Sequence, residues 1–137
     1  VINISGGTFT LDTRNDGAWV ANRGDIDLIR TWGTLNISGG TFSMWQKAGS
    51  AAINVYRGKT TISGNPVFNV RCNTGTARGI VAAPWNEAAY CDADMANNLA
   101  EIEMNGGTFN VINKGSGSSY GAYACGALDS DSKYAMS

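Results

Sequence analysis

The sequence predicts an all-β protein, a right-handed parallel β-solenoid (β-helix) of about four coils with three strands each, running as one segment through residues 1–137. Three observations carry this prediction. A strand–corner–strand unit recurs four times, all four phenylalanines fall at one position of that unit, and a third apolar strand follows each copy at a loosely constant distance.

The recurring unit occupies residues 2–11, 35–44, 60–70 and 102–111. An internal period of a few tens of residues decides architecture before any single residue does. Apolar residues alternate on both sides of the corner, as Ile2 and Ile4 and then Phe9 and Leu11, which is the period-two signature of strands with one buried face. The corner itself reads Ser5-Gly6-Gly7, Ser38-Gly39-Gly40 and Asn105-Gly106-Gly107, and the third copy, Ser63-Gly64-Asn65-Pro66, is one residue longer. Glycine there accepts φ > 0 without a steric penalty, so the chain can turn sharply. Stacking the copies predicts an internal aromatic column of Phe9, Phe42, Phe68 and Phe109.

The third strand aligns as Gly17-Ala18-Trp19-Val20, Ala52-Ile53-Asn54-Val55, Gly79-Ile80-Val81-Ala82 and Gly121-Ala122-Tyr123-Ala124. Its second and fourth positions are small or aliphatic and predicted inward; the third (Trp19, Asn54, Val81, Tyr123) is predicted outward. Three strands per coil, each burying a face only against its neighbours, is the parallel β-helix plan. Right-handedness follows from the bias of parallel crossover connections.

Composition narrows the function classes. Apolar residues make up 43% of the chain and charged residues 15%, which fits a packed repeat protein and not a disordered one. The net charge is −1 with basic residues scattered singly, so no cationic face for nucleic acid is visible. No apolar run approaches the ~18 residues of a membrane-spanning helix. Histidine is absent, which removes the commonest general base and zinc ligand. Cys72, Cys91 and Cys125 form no Cys-x-x-Cys pair; Cys72 and Cys91 bracket a loop and either pair or remain thiols. The chain opens and closes inside the repeat pattern, so it is expected to be a fragment of a longer protein, with neighbouring coils or end-to-end self-association meeting its open ends.

The candidate site comes from irregular spacing after the third strand. Two long insertions, residues 21–34 and 83–101, are predicted to leave one corner of the coil and flank a shallow notch floored by Arg57 and Lys59. Scaffolded folds concentrate function in such loops. Trp32, Trp85 and Tyr90 are the candidate stacking surfaces, with Arg57 and Asp92 as polar partners. Aromatic rings flanked by charged hydrogen-bonding groups suit sugars, whose apolar faces stack while their hydroxyls bond.

Other motifs carry less. Arg23-Gly24-Asp25 matches an adhesion tripeptide, but three residues are a cheap match. Asp92-x-Asp94 and Asp129-x-Asp131 do not extend into a calcium loop, which needs ~6–8 oxygen ligands, so no metal is expected. Asn3-Ile4-Ser5 and Asn36-Ile37-Ser38 satisfy the glycosylation rule on repeat strands. The outward threonines resemble an ice-binding ladder, but Val67, Asn69 and Asn110 break the array.

The Ser-Gly-Gly-Thr-Phe unit followed by Gly-Ile-x-Ala-like strands resembles the right-handed β-helix (pectin-lyase-like) repeats of secreted bacterial surface and adhesin-like proteins, over nearly the whole chain. That resemblance implies an extracellular or cell-surface, non-catalytic adhesin or stalk, with a polysaccharide or host-surface glycan as partner and no cofactor. Related hydrolases carry paired aspartates and a histidine on adjacent coils, and this chain has neither an Asp-Asp dipeptide nor a histidine. A fragment of a polysaccharide lyase or hydrolase remains the competing reading, and a purely structural fibre segment the third.

Overall fold

The structure, a computed structural model, describes residues 1–15, 18–19, 26–82, 100–124 and 135–136. The first coil consists of β1 (Ile2–Ile4), β2 (Thr8–Asp12), a short hairpin of β3 (Arg14–Asn15) with β4 (Ala18–Trp19), and β5 (Ile29–Thr31). The second is β6 (Leu35–Ile37), β7 (Thr41–Gln46) and β8 (Ser50–Val55); the third is β9 (Gly58–Ile62), β10 (Val67–Cys72) and β11 (Ala77–Ala82). The fourth is β12 (Ala100–Met104), β13 (Thr108–Asn113) and β14 (Ser119–Ala124), and β15 (Ala135–Met136) begins a fifth.

Equivalent strands stack into three parallel sheets, β1-β6-β9-β12-β15, β2-β7-β10-β13 and β5-β8-β11-β14, which makes the protein a parallel β-solenoid. The repeat predicted from sequence sets the register. Phe9 pairs with Phe42, Phe42 with Phe68, and Phe68 with Phe109. Adjacent rings in this column stack 4.8, 4.7 and 4.5 Å apart, with interplanar angles of 3°, 16° and 10°. Phe42 and Phe68 are fully buried, whereas Phe9 and Phe109, predicted to be buried too, are half-exposed because they end the column among the described residues.

Around the rings, Leu35, Ile37, Ile53, Val55, Ile62, Val70, Ile80 and Ile102 fill the interior, drawn from all three sheets. A side chain of this kind gains roughly 1.5–3 kcal/mol when fully buried. No coil has a complete core of its own, so this gain is realised only when coils stack.

The corners explain the glycines. Gly7, Gly40 and Gly107 hold φ of 101°, 104° and 91°, the left-handed region. Close approach between coils adds a second demand, for a Cβ at Gly39 would lie 2.5 Å from the Ser5 carbonyl oxygen. The longer third corner spends its extra residue without shifting the ladder: Ile37 still faces Ile62 and Thr41 still faces Val67. At Gly79 a Cβ would collide with the Gly121 carbonyl oxygen and meet Phe109 Cδ1 at 2.5 Å, so the backbone of the next coil and the aromatic column together leave no room for a side chain there.

The alignment of the third strand holds for three coils and fails for the first. Ile53 pairs with Ile80 and Ile80 with Ala122, as aligned, but the first-coil partner of Ile53 is Ile29, not a residue of 17–20. Ala18 and Trp19 instead pair antiparallel with Asn15 and Arg14. Ile29-Arg30-Thr31 places its first and third residues in the inward positions. Of the residues predicted to face outward, Asn54 and Tyr123 are half-exposed, while Val81 is buried.

These features predict unequal costs along the aromatic column. Phe42→Ala should destabilise the protein by about 3–5 kcal/mol, the range for truncating a large core aromatic, and Phe9→Ala by clearly less. Urea unfolding of the two variants checks the ranking, and equal losses would show that ring stacking within the column does not follow burial.

Candidate functional site

Correcting the first coil relocates the site. The first insertion lies between the second and third strands of its coil, before β5, whereas residues 83–99 follow a third strand. The two insertions therefore leave different corners of the coil, and much of both lies outside the described residues. Only residues 32–34 link β5 to β6. Trp85, Tyr90 and Asp92 lie outside the described residues, as does Cys91, and with it any pairing to Cys72. Cys72 itself is buried in the core.

Trp32 and Tyr56 are the residues immediately after paired strand ends, since Thr31 faces Val55. The ladder continues past this pair, with the Tyr56 amide donating to the Thr31 carbonyl at 2.9 Å. The shared register brings the two rings into a stack, centroids 4.9 Å apart and planes 23° from parallel. Tyr56 is 6% exposed and Trp32 54%, so the inner ring is fixed by its surroundings and the outer one presents a large surface to solvent.

Polar groups brace this pair from one side. The Asn54 side-chain amide donates to the Tyr56 hydroxyl oxygen and to Asp27 Oδ2, each at 3.2 Å. The Asp27 carboxylate, 2% exposed, also accepts from Arg30 Nε at 2.9 Å and from the Ala51 backbone N–H at 3.3 Å. A carboxylate that deep needs several donors to offset its lost hydration. The link after Trp32 is tied down as well: Gly33 N–H donates to Thr31 Oγ1 at 3.3 Å. Gly58 must be glycine beside it, with φ of 82° and a Cβ position 2.8 Å from the Gly33 carbonyl oxygen.

Of the two cations expected on the notch floor, Arg57 is exposed beside Tyr56. Lys59 is engaged on the outer face of the first sheet, pairing with Glu101 at 2.9 Å and Glu103 at 2.6 Å. The sequence marks Asp27 as part of the first insertion and Asn54 as an outward strand residue, but sequence reading missed Tyr56 and the contact between Asp27 and Asn54. The available signal was the match of Ile29-Arg30-Thr31-Trp32 to Ile53-Asn54-Val55-Tyr56, which the misplaced first-coil strand concealed.

Two further aromatic clusters lie on outer faces. Arg14 is clamped by Asp12 and sits 5.0 Å above the Trp45 ring. Arg78 lies 5.4 Å over Tyr123, which contacts Tyr120 at 5.0 Å. No group of three or more His, Cys, Asp and Glu residues among the described residues is arranged to hold a metal ion. Compared with known proteins, the chain matches no family model, no curated protein and no solved structure.

The Lys59 network makes a pH-dependent contribution. Lys59, and then the Asn105 amide, hold the Glu103 carboxyl below the usual carboxylate range; Glu103, and then Glu101, hold the Lys59 ammonium above its ordinary value. A lowered carboxyl contributes stability above its unfolded value that is lost as pH falls through the folded one; a raised ammonium contributes below its unfolded value and loses it as pH rises through the folded one. Lys59→Met should therefore lower the melting temperature modestly near neutrality, with the gap closing as pH falls through the lowered Glu103 value. Thermal melts of both proteins across pH check this, and a gap that persists in acid would assign the loss to packing of the lysine stem.

Proposed function

We propose that this chain is a non-catalytic, extracellular or cell-surface β-solenoid segment, acting as an adhesin or stalk and binding glycan at the Trp32 edge. The observation that carries the reading is the exposed Trp32 ring, braced on a buried Tyr56 and held by the Asn54–Asp27–Arg30 network. An exposed aromatic normally costs solubility; one pre-positioned by a buried partner suits the apolar face of a sugar. Arg57, next in the chain and exposed, is the cation placed to bond ring hydroxyls or acidic groups. Trp85, Tyr90 and Asp92 stay with this proposal as residues of the longer insertion.

A flat platform buries little of its ligand, and sugar hydroxyls lose water on binding, so the affinity expected is micromolar to millimolar. A glycan array followed by calorimetry on the best hit should show binding that Trp32→Ala abolishes and that Arg57→Ala weakens about fivefold to tenfold, or ~1–1.4 kcal/mol. Binding that survives loss of the Trp32 ring would move the site elsewhere, and no binding to any glycan would overturn the reading.

The structural-fibre reading is favoured by a separate observation. Among the described residues, β2 and β5 at one end and β13 and β14 at the other each pair with only one neighbour. Such edges recruit further strands. The isolated chain is therefore expected to associate end to end as its concentration rises. Light scattering over a concentration series checks this, with a strictly monomeric chain as the contrary result.

A further inference from the structure

The fourth corner differs from the other three at one position: Asn105 stands where the others carry Ser5, Ser38 and Ser63. Gly106 follows it. The resulting Asn-Gly step joins a side-chain amide to a backbone nitrogen whose residue has no Cβ to hinder approach. We infer that Asn105 is a self-modification site, at which the folded chain deamidates spontaneously to aspartate and isoaspartate.

Three features of the corner support this. Asn105 is exposed, so water reaches the amide. The inter-coil hydrogen bonds pass over the reacting nitrogen: Asn105 N–H donates to the Ile62 carbonyl at 2.7 Å, Gly107 N–H to Gly64 at 3.1 Å and Thr108 N–H to Pro66 at 2.9 Å, while Gly106 takes no part in these contacts. Glycine at 106 is itself imposed by the stacking, since a Cβ there would collide with the Gly64 carbonyl oxygen. The reactive dipeptide is thus a consequence of coil spacing wherever asparagine rather than serine precedes it.

The reaction balances with water alone. The Gly106 backbone nitrogen, deprotonated by solvent base, attacks Asn105 Cγ; the Cγ–Nδ2 bond breaks and ammonia leaves after taking up a proton from water. The five-membered succinimide is then opened by water at either carbonyl, giving aspartate or isoaspartate. Nothing is oxidised or reduced. In the starting state Asn105 Nδ2 donates to Glu103 Oε1 at 2.8 Å. The product replaces this donor with a carboxylate beside Glu103, whose own cationic partner is Lys59.

The test is ageing of the full folded chain at physiological temperature, near neutral pH and one unit above, followed by peptide mapping and enzymatic methylation of isoaspartate. The expected result is a gain of one mass unit confined to the Asn105 peptide. It should form about ten times faster per pH unit, as the deprotonated amide fraction rises, and be absent in Asn105→Ser, whose corner copies the other three. Conversion of Asn105 only in the urea-unfolded chain would overturn the inference, because the folded corner would then be protective. So would equal conversion at the stacked amides of Asn3, Asn36, Asn69 and Asn110.

Discussion

The whole molecule depends on one constraint, the in-register backbone ladder between successive coils. Among the described residues, equivalent strands of successive coils, the β3–β4 hairpin apart, bond to each other at a spacing of ~4.8 Å, which is also close to the 4.5–4.8 Å between stacked phenylalanine rings. A ring placed once per coil at the same position therefore stacks without adjustment. The same rule produces the outer amide ladders, in which Asn36 donates to Asn3 at 2.8 Å and Asn110 to Asn69 at 2.9 Å. Side-chain columns inside and outside the solenoid are two expressions of a single backbone register.

That constraint also explains how the candidate site is built. The Trp32–Tyr56 pair lies one rung beyond a ladder, where the backbone still aligns the residues but the coil is already turning toward the next sheet. Ring separation is inherited from the strands, while exposure of the outer ring comes from its place after the last paired residue. Asp27, Arg30 and Asn54 come from two adjacent coils and meet because the register sets Ile29 against Ile53. The site belongs to a pair of coils and to neither alone.

How much of this was legible follows from what the sequence repeats. The first two strands of each coil share a corner, a phenylalanine and an alternation, so their existence, partners and register could be read directly; even the extra residue at Asn65-Pro66 could be placed. The third strand has no such marker. Ala, Ile and Val satisfy its inward positions in many frames, and the 12–31 stretch offers two of them, Gly17-Ala18-Trp19-Val20 and Leu28-Ile29-Arg30-Thr31. Choosing the earlier frame moved an insertion to the wrong corner and hid the alignment of Trp32 with Tyr56. The single residue Trp32 was identifiable as an exposed aromatic, but its bracing by Tyr56, Asn54 and Asp27 depends on long-range register that local pattern does not encode.

The register also limits where charge can go, and this accounts for the low charged fraction of 15%. A residue repeated in every coil meets its own copy, so a repeated lysine or glutamate would form a column of like charges ~4.8 Å apart, which is destabilising for residues directly opposite. Among the paired residues of the described strands no like-charged pair occurs. Lys59 faces Glu101, Arg30 faces Asn54, Asp12 and Arg71 both face Trp45, and Arg78 faces Ala51 and Tyr120. Charge at outer positions therefore stands opposite a neutral or oppositely charged neighbour, and the columns that repeat from coil to coil use threonine, asparagine and aromatic rings. An aromatic, hydrogen-bonding surface is what in-register stacking favours on physical grounds, and it is also the surface that a sugar-binding scaffold requires.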